Sequence, residues 1–340
     1  MRILRASIAA LMSVLLLGLG NMGLGAAQGM PKLSIMVGGL EKIIYLPAML
    51  TERLGYFKKA GVDMTLLDEG AGVSAEDEMI ANRVDGVGGF YDHTIDLQSK
   101  GKILEAVIVW DRVPGEVLLA SNRSGINSLA DLRGKHIGVT GLGSSTNFLA
   151  SFLVTKGGGD RTQYTAVPVG AGNTLIAAMQ QNRIEAAVTT EPTVSRLIKM
   201  GLAHVLVDMR TAAGTRAALG GTYPAACLYM KSDFVAQHRD VVQRTVTAFT
   251  WTLGYLQSHT PADVADKLPE DHYVGDKPLY LAALAASMNM FNPTGTMPPD
   301  GPPTVLNVLA SFNKDLDPSK IDLKKTYTDE FVEAAMKMPK

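Results

Sequence analysis

Short apolar segments alternate with amphipathic helical segments along most of this chain, and that alternation constrains the fold more than any other feature. Strands are predicted at 33–37, 62–67, 84–90, 103–110, 116–121, 136–140, 165–169, 186–190, 204–208 and 225–230. Helical patterns of about 10–15 residues between such strands are typical of βαβ units with parallel sheets. The sequence therefore predicts an α/β protein, with further helices completing the chain after residue 232.

The order of these segments predicts two lobes. Residues 32–118 together with 228–340 would form lobe 1, and residues 119–227 would form lobe 2. Ligands of open α/β sheets bind outside the carboxyl ends of the strands, so the two sheets would face each other across a cleft. Two crossings of the chain between the lobes would act as a hinge. No short internal repeat is evident.

Composition and charge exclude several classes of function. The 340 residues include 32 basic and 33 acidic side chains, so no surplus of positive charge is available for nucleic-acid phosphates. The single cysteine, Cys227, excludes an intramolecular disulfide and any zinc motif built on cysteine pairs. A hydrophobic content of 46% and a charged content of 19% are globular values. We expect a small-molecule ligand, no cofactor, no metal and no nucleic-acid partner.

Residues 1–27 have the three-part pattern of a secretory signal peptide. Two arginines precede an apolar run at 8–19, and Gly25 and Ala27 supply small residues for cleavage after Ala27. The run is shorter than the roughly 20 residues of a membrane-spanning helix. The sequence therefore predicts an exported, periplasmic protein, with an uncleaved membrane anchor as the alternative.

Four groups of motifs, in order along the chain, resemble those of type II periplasmic binding proteins. They belong to the branch that binds sulfonates, nitrate, taurine and thiamine precursors. The first contains Leu-Gly-Tyr-Phe and the third contains Asp-Leu-Arg-Gly-Lys, while Arg83 stands where the family usually has glycine. The segments that carry the resemblance are 44–62, 82–88, 129–146 and 183–192.

This resemblance implies a two-lobed Venus-flytrap fold of type II, with two crossings between the lobes. It also implies a monomeric, non-enzymatic protein that delivers a small molecule to an inner-membrane ABC permease. A fold does not determine a ligand, so binding of a pyrimidine or thiamine precursor stays open as an alternative. A fungal pyrimidine synthase has similar motifs, but its cysteine-rich segment has no counterpart in a chain with only Cys227.

The best-supported candidate for ligand contact is the start of the helix that follows strand 136–140. Thr140 ends the strand, and Gly143, Ser144, Ser145 and Thr146 open the helix. A helix N-terminus has unpaired N–H donors and a partial positive charge, and small hydroxyl residues let an anion approach. The alternative interpretation is an ordinary serine cap.

The third strand ends in candidates of another kind. Phe90 and Tyr91 would supply an aromatic wall, and Asp92 and His93 would supply hydrogen-bonding groups. His93 could instead cap its helix or lie in solvent. A lone histidine without partners at a suitable spacing does not indicate a metal site.

Two charged loops and one tyrosine complete the candidate set. Lys42 could pair with an anion and Glu41 with an amine, although a solvated Glu–Lys pair is the alternative. Glu191 would contact ligand or cross the closed cleft, or it could be a first-turn acid favoured by the helix dipole. Tyr223 lies beside the second crossing, where it would serve as hinge or lid.

Together these residues predict a small polar organic ligand with an oxyanion group, a sulfonate or carboxylate. The oxyanion would dock on the helix start at 143–146, with Lys42 as the balancing charge. The acids Glu41, Asp92 and Glu191 would repel a bare anion such as nitrate. An uncharged pyrimidine precursor is the alternative, because it needs acceptors and an aromatic wall.

Overall fold

Two five-stranded mixed sheets form the framework of the protein, which a computed structural model describes for residues 29–273 and 275–338. The expected signal peptide at 1–27 therefore lies outside the described residues. Within those ranges, no helix combines the length and the apolar character needed to cross a bilayer. The ten strands are β1 (Lys32–Val37), β2 (Asp63–Asp68), β3 (Gly86–Phe90), β4 (Leu104–Val109), β5 (Glu116–Ser121), β6 (His136–Val139), β7 (Thr165–Pro168), β8 (Ala186–Thr190), β9 (Ala203–Asp208) and β10 (Ala226–Lys231).

The two sheets have the same strand pattern. The first sheet has the order β2-β1-β3-β10-β4 and the second has the order β7-β6-β8-β5-β9. In each, one antiparallel strand is inserted between two others: β10 between β3 and β4, and β5 between β8 and β9. These inserted strands follow the two crossings of the chain, at 110–115 and 209–225. The boundary expected after residue 118 falls inside β5, whose whole length pairs within the second sheet.

Helices cover both sheets and then extend the chain beyond β10. The segment 43–61 is divided into a 3-10 turn and two short helices. The segment after residue 232 forms two consecutive helices. The α-helices are α1 (Leu46–Arg53), α2 (Tyr56–Lys59), α3 (Gly72–Ile80), α4 (Asp92–Ser99), α5 (Ser145–Lys156), α6 (Gly172–Gln180), α7 (Thr193–Lys199), α8 (Ala212–Leu219), α9 (Ser232–Gln237), α10 (Arg239–Ser258), α11 (Pro261–Ala265), α12 (Lys277–Ser287), α13 (Gly301–Phe312) and α14 (Glu330–Met336).

The helix–strand unit α3–β3 of the first sheet has a sequence counterpart, α6–β8, in the second sheet. Residues 70–85 and 170–185 align at an offset of 100, with Gly-Ala-Gly, one methionine and Asn-Arg identical in both. Asn82 and Asn182, just before the strands, both have left-handed backbones, with φ of 59° and 55°. The chain thus contains an internal repeat, contrary to our expectation from sequence. Its signal is sparse because only six of the 16 aligned residues are identical.

Helix α13 packs against both halves of the molecule. Its apolar residues belong to a buried cluster that also contains Ile95 of α4 and Leu149 of α5. The ring of Phe312, at the end of α13, lies 6.1 Å from that of Phe148, centroid to centroid. Helices α4 and α5 begin at the space between the sheets, so α13 supports from behind the two helices whose N-termini meet there.

Candidate functional site

The loops at the carboxyl ends of both sheets enclose a small cavity. Its volume is about 20 Å³, which is enough for about one water molecule. Its walls combine residues that follow β1 and β3 with residues that follow β6 and β8, as expected for ligand sites in α/β sheets. The lining residues are Gly38, Lys42, Ile44, Tyr45, Gly72, Phe90, His93, Glu116, Thr140, Ser144, Ser145, Thr146 and Thr190.

The start of α5 forms the second-sheet wall. The three residues Ser144, Ser145 and Thr146 are buried and line the cavity. The Thr140 N–H donates to Thr146 Oγ1 over 3.0 Å, which ties the strand end to the first helical turn. The N–H groups of Ser145 and Thr146 belong to the first turn and have no partner within the helix. This wall therefore offers hydrogen-bond donors and hydroxyls without a formal charge.

Asp92 bridges the cleft from the first sheet to the start of α5. Its fully buried carboxylate accepts a hydrogen bond from Ser145 Oγ, which lies 2.6 Å from both of its oxygens. The Tyr223 hydroxyl also donates to it, over 2.8 Å. Burial raises the pKa of Asp92 to about 7, although these hydrogen bonds act to lower it. A carboxylate of the protein thus lies where we expected the oxyanion of a ligand.

His93 presents one ring nitrogen to the cavity and the other to a buried polar pair. Its Nδ1 lies 2.9 Å from the Tyr229 hydroxyl and 3.3 Å from a Glu76 carboxyl oxygen. Burial lowers the pKa of His93 to about 3 and raises that of Glu76 to about 8. At neutral pH the imidazole is therefore uncharged. A Cβ at position 72 would lie 3.0 Å from His93 Cε1, so Gly72 leaves room for the ring.

Lys42 is almost completely buried at the other edge of the cavity. Its Nζ donates hydrogen bonds to the carbonyl oxygens of Gly38 and Gly70. Burial lowers the pKa of Lys42. Gly39 has a φ of +117°, and a Cβ there would lie 2.6 Å from Lys42 Cε. This loop therefore needs glycine both for its backbone and for the lysine side chain.

Glu116 is the residue that sequence reasoning missed. It is the first residue of β5, it is 1% exposed, and its Oε2 has no hydrogen-bond partner among the described residues. Burial raises its pKa well above the usual range, and the nearby Asp92 raises it further. The available signal was an acid at the head of an otherwise apolar strand, 116–121. Our prediction of a lobe boundary after residue 118, in the middle of this strand, obscured it.

Tyr91 and Glu41 do not line the cavity. The Tyr91 hydroxyl is hydrogen-bonded to Thr326 of the C-terminal segment, so this ring packs in the core; of the two aromatic residues that we expected to line the site, Phe90 does so. Glu41 is half-buried next to Lys42. Gly143 contributes only backbone, donating its N–H to Asn147 Oδ1.

Glu191 is held away from the cavity by partners of its own. Its carboxylate lies 2.7 Å from Arg210 Nη1 and accepts from the backbone N–H and the hydroxyl of Ser195. It crosses the cleft only through its carbonyl oxygen, which accepts from the Ile43 N–H over 3.1 Å. The side chain of Tyr223 reaches the site only through Asp92.

Comparison with known proteins gives a consistent result for most of the chain. The model of the NMT1/THI5-like family matches residues 45–261. A protein structure from Bordetella bronchiseptica RB50 is 35% identical, with a TM-score of 0.87, over 89% of this chain and 96% of that one. No curated protein matches the chain.

Two further solved structures share the fold at lower identity. The alkanesulfonate-binding protein SsuA from Xanthomonas axonopodis pv. citri, bound to MOPS, is 18% identical, with a TM-score of 0.66, over 88% of this chain and 98% of that one. The periplasmic nitrate-binding protein NrtA from Synechocystis PCC 6803 is 11% identical, with a TM-score of 0.70, over 90% of this chain and 88% of that one. Because the family model matches residues 45–261 and the two sheets have this paired arrangement, the chain belongs to the NMT1/THI5-like family and has the two-lobed α/β fold of type II periplasmic binding proteins.

Proposed function

We propose that this protein is an extracytoplasmic solute-binding protein that closes its two lobes on a small polar organic molecule and delivers it to an ABC importer. The observation that carries the proposal is the cavity enclosed by strand-end loops of both sheets. Because that cavity holds about 20 Å³, a ligand larger than water requires the lobes to separate first. The family supports a binding role, and the signal-like pattern at 1–27 supports a periplasmic location.

The groups around the cavity favour binding over catalysis. The Ser145 hydroxyl donates to the buried carboxylate of Asp92, and among the described residues no histidine nitrogen is hydrogen-bonded to it as in a serine–histidine pair. Cys227 is buried in β10, and burial raises the pKa of its thiol well above the usual value, which disfavours the reactive thiolate. We therefore propose that the protein releases its ligand chemically unchanged. We also propose that it acts as a monomer, as the family resemblance implies.

The ligand is proposed to carry a sulfonate or carboxylate that docks on the first turn of α5. Unpaired backbone donors at Ser145 and Thr146 and the positive end of the helix dipole support this assignment. Lys42 would supply the balancing charge from the opposite wall. For the oxyanion to reach the helix, it has to share the Ser145 donors with Asp92 or displace that carboxylate.

A second candidate ligand is an uncharged pyrimidine precursor. The observation that favours it is that the Asp92 carboxylate lies against the start of α5. This carboxylate would repel an incoming anion but would accept hydrogen bonds from the ring N–H groups of a pyrimidine. Phe90 offers an aromatic surface on the same wall.

A ligand screen by thermal shift and calorimetry tests the proposal. Sulfonates, carboxylates, nitrate and pyrimidines are compared. A bound ligand at 100 times its Kd stabilises the fold by about 2.7 kcal/mol. Small-angle scattering with a binding compound should then show a smaller radius, and product analysis should return the compound unchanged. An unchanged scattering curve at saturation, or a chemically altered compound, contradicts the binding-protein function.

Ser145→Asp separates the two candidate ligands. A carboxylate at the first turn of α5 should abolish binding of an oxyanion, and the melting temperature of the variant shows whether the fold tolerates a second acid beside Asp92. The matched control is Thr211→Asp, which changes an exposed helix cap of the same half to another good cap residue. Wild-type affinity of an oxyanion ligand for the Ser145→Asp variant would exclude the helix start as its site.

Export is tested by N-terminal sequencing of the protein recovered from the periplasm. We expect the mature chain to begin at Gln28, because Gly25 and Ala27 stand at the spacing that signal peptidase requires. A soluble protein that begins at Met1 would contradict export through a cleavable signal.

A further inference from the structure

A buried polar network lies behind the first-sheet wall of the cavity, and His93 connects the two. His93 is 1% exposed, and its Nε2 has no hydrogen-bond partner among the described residues. Its Nδ1 lies 2.9 Å from the Tyr229 hydroxyl and 3.3 Å from a Glu76 carboxyl oxygen. A buried polar atom without a partner is costly. Because His93 lines the cavity, a molecule bound there would supply the partner that Nε2 lacks.

The orientation of the imidazole ring is fixed by aromatic packing from both halves of the molecule. The Phe148 ring of α5 and the Tyr229 ring of β10 are nearly perpendicular to it, with centroids 6.1 and 6.0 Å away. A ring rotation that exchanged the surroundings of the two nitrogens would remove Nδ1 from Tyr229 and Glu76. Each nitrogen therefore has a fixed environment, one polar and one facing the cavity.

The Tyr229 hydroxyl determines which nitrogen carries the proton. Tyr229 is fully buried, and in the described part of the chain its hydroxyl has no hydrogen-bond partner other than His93 Nδ1. If the hydroxyl accepted from an Nδ1–H group, its own proton would be left without an acceptor, whereas donation to Nδ1 satisfies both groups. Burial lowers the pKa of His93 to about 3, so the imidazole has one proton at neutral pH. That proton lies on Nε2.

Two nearby acids favour the same position of the proton. Burial raises the pKa of Glu76 to about 8, so at neutral pH Glu76 keeps its proton and offers Nδ1 a second donor. An oxygen of Asp92 lies 3.9 Å from Nε2, which is too far for a hydrogen bond but favours an N–H group over a lone pair on that side. The other charged groups that act on Glu76 or His93 are Asp77, Asp96 and Lys100.

We propose that Tyr229 and Glu76 are positioning residues that hold His93 as a neutral imidazole, whose Nε2–H group donates a hydrogen bond to an acceptor atom of the bound molecule. This inference rests on the proposed binding function and deepens it, because it assigns a directional contact to the first-sheet wall. The second half has Ile176 and Thr193 at the positions equivalent to Glu76 and His93, so this contact belongs to one side of the cavity.

Nitrogen NMR of the protein without a ligand tests the position of the proton directly. Long-range ¹H–¹⁵N spectra distinguish a ring nitrogen that carries a proton from one that does not. Near neutral pH we expect a protonated Nε2 and an unprotonated Nδ1 in His93, identified by the loss of these signals in His93→Gln. A proton on Nδ1, or on both nitrogens, overturns the proposal, and this result does not depend on any ligand.

Variants of the two positioning residues test their roles. Tyr229→Phe keeps the ring that packs on His93 but removes the hydroxyl, and Glu76→Ile copies the residue of the second half. A ring nitrogen that accepts a hydrogen bond resonates upfield of one that does not. The Nδ1 signal should therefore move downfield in Tyr229→Phe, and further when the two changes are combined.

The matched control for Tyr229→Phe is Tyr91→Phe. It removes another buried tyrosine hydroxyl, which is hydrogen-bonded to Thr326 and lies outside the cavity lining. The control should leave the His93 signals unchanged. An unchanged Nδ1 signal in the combined variant would show that neither residue donates to the ring. Circular dichroism and melting temperature report whether each variant is folded, and the wild-type spectrum keeps the proposal falsifiable if the combined variant is not.

Two substitutions of His93 test the contact with a bound molecule. The amide nitrogen of His93→Gln reaches about as far as Nε2 and supplies N–H groups, whereas His93→Met has a similar length without them. The probes are ethanesulfonate, propanoate and uracil, which all offer acceptor oxygens. For a probe that binds to wild type, calorimetry should show at least about tenfold weaker binding to His93→Met than to His93→Gln.

The outcomes separate this inference from the proposed function. Equal affinities of the His93→Gln and His93→Met variants for a probe that binds to wild type overturn the contact and leave the binding function standing. If neither these probes nor any compound of the wider screen binds, the contact and the proposed function fail together.

Discussion

The two helix–strand units that repeat at an offset of 100 residues differ in their ionisable groups. Both have Gly-Ala-Gly before the helix and Asn-Arg before the strand. In the first unit, however, Glu76 and His93 form a buried polar pair beside the cavity. Their counterparts in the second unit are Ile176 and Thr193. Both units thus keep Gly-Ala-Gly, one methionine and Asn-Arg, whereas the buried Glu76–His93 pair has an apolar residue and a threonine in its place in the second half.

The two halves also differ in the contacts of the equivalent glycines Gly72 and Gly172. His93 packs over Gly72 in the first half, whereas Thr193 Oγ1 accepts a hydrogen bond from the Gly172 N–H over 2.9 Å in the second. The third residue after β3 thus lines the cavity, whereas the third residue after β8 makes a local hydrogen bond. Substitutions at equivalent positions should therefore have effects of different kinds.

The largest expected effect comes from Glu76, the acid that the second half lacks. The unfolded chain releases this proton near pH 4.5, whereas the folded protein holds it to about pH 8. The folded state therefore binds more protons between these values, and the group's contribution to stability decreases as pH rises. Between pH 5 and 8, the free energy of unfolding of wild type should fall by about 1.4 kcal/mol per pH unit relative to that of Glu76→Gln.

Urea unfolding at four pH values measures this difference. Glu76→Ile, which copies the residue of the second half, should likewise be more stable than wild type at pH 8. Parallel pH profiles of wild type and Glu76→Gln would show that the buried acid does not retain its proton.

Arg210 should have the next largest effect, because it neutralises Glu191 in the second half. Arg210→Met leaves a buried carboxylate without its cation, and only Ser195 would still donate to it. We expect the free energy of unfolding to fall by about 2–3 kcal/mol. This is less than the loss for breaking a fully buried ion pair, because Arg210 is partly exposed. The control is Arg216→Met, whose pair with Asp300 is exposed and should contribute under about 0.5 kcal/mol. Equal effects of the two variants in chemical denaturation would contradict the assignment.

The smallest expected effect is at Thr193. Thr193→Val keeps the shape but removes the acceptor for the Gly172 N–H, which should cost about 1 kcal/mol. The matched control is Thr189→Val in the same half. The Thr189 hydroxyl is buried without a partner among the described residues, so its removal should be neutral or stabilising. The hypothesis fails if Thr189→Val is the more destabilising of the two.

The sequence predicted the α/β alternation, the family and the loops that surround the cavity. These features depend on local patterns, such as the Gly-Ser-Ser-Thr start of α5. It did not predict which side chains in those loops face inward. Tyr91 turns toward Thr326, more than 200 residues away in sequence, and Glu191 turns toward Arg210. Such partners come from tertiary packing, which no local pattern encodes.

Glu116 shows the other limit of sequence reasoning. Its place at the cavity follows from the insertion of β5 between β8 and β9, a pairing between distant segments. An acid at the start of an apolar strand is a visible feature, but its burial depends on which sheet the strand joins.

The insertion of β10 between β3 and β4 also has a consequence for the order of assembly. The second sheet is built from one continuous segment, β5 to β9, which ends at residue 208. The first sheet begins at residue 32 but has a gap in its middle until residue 231 is available. Domains tend to fold as units while the chain emerges from its N-terminus. Here the half that starts first is the half that is finished last.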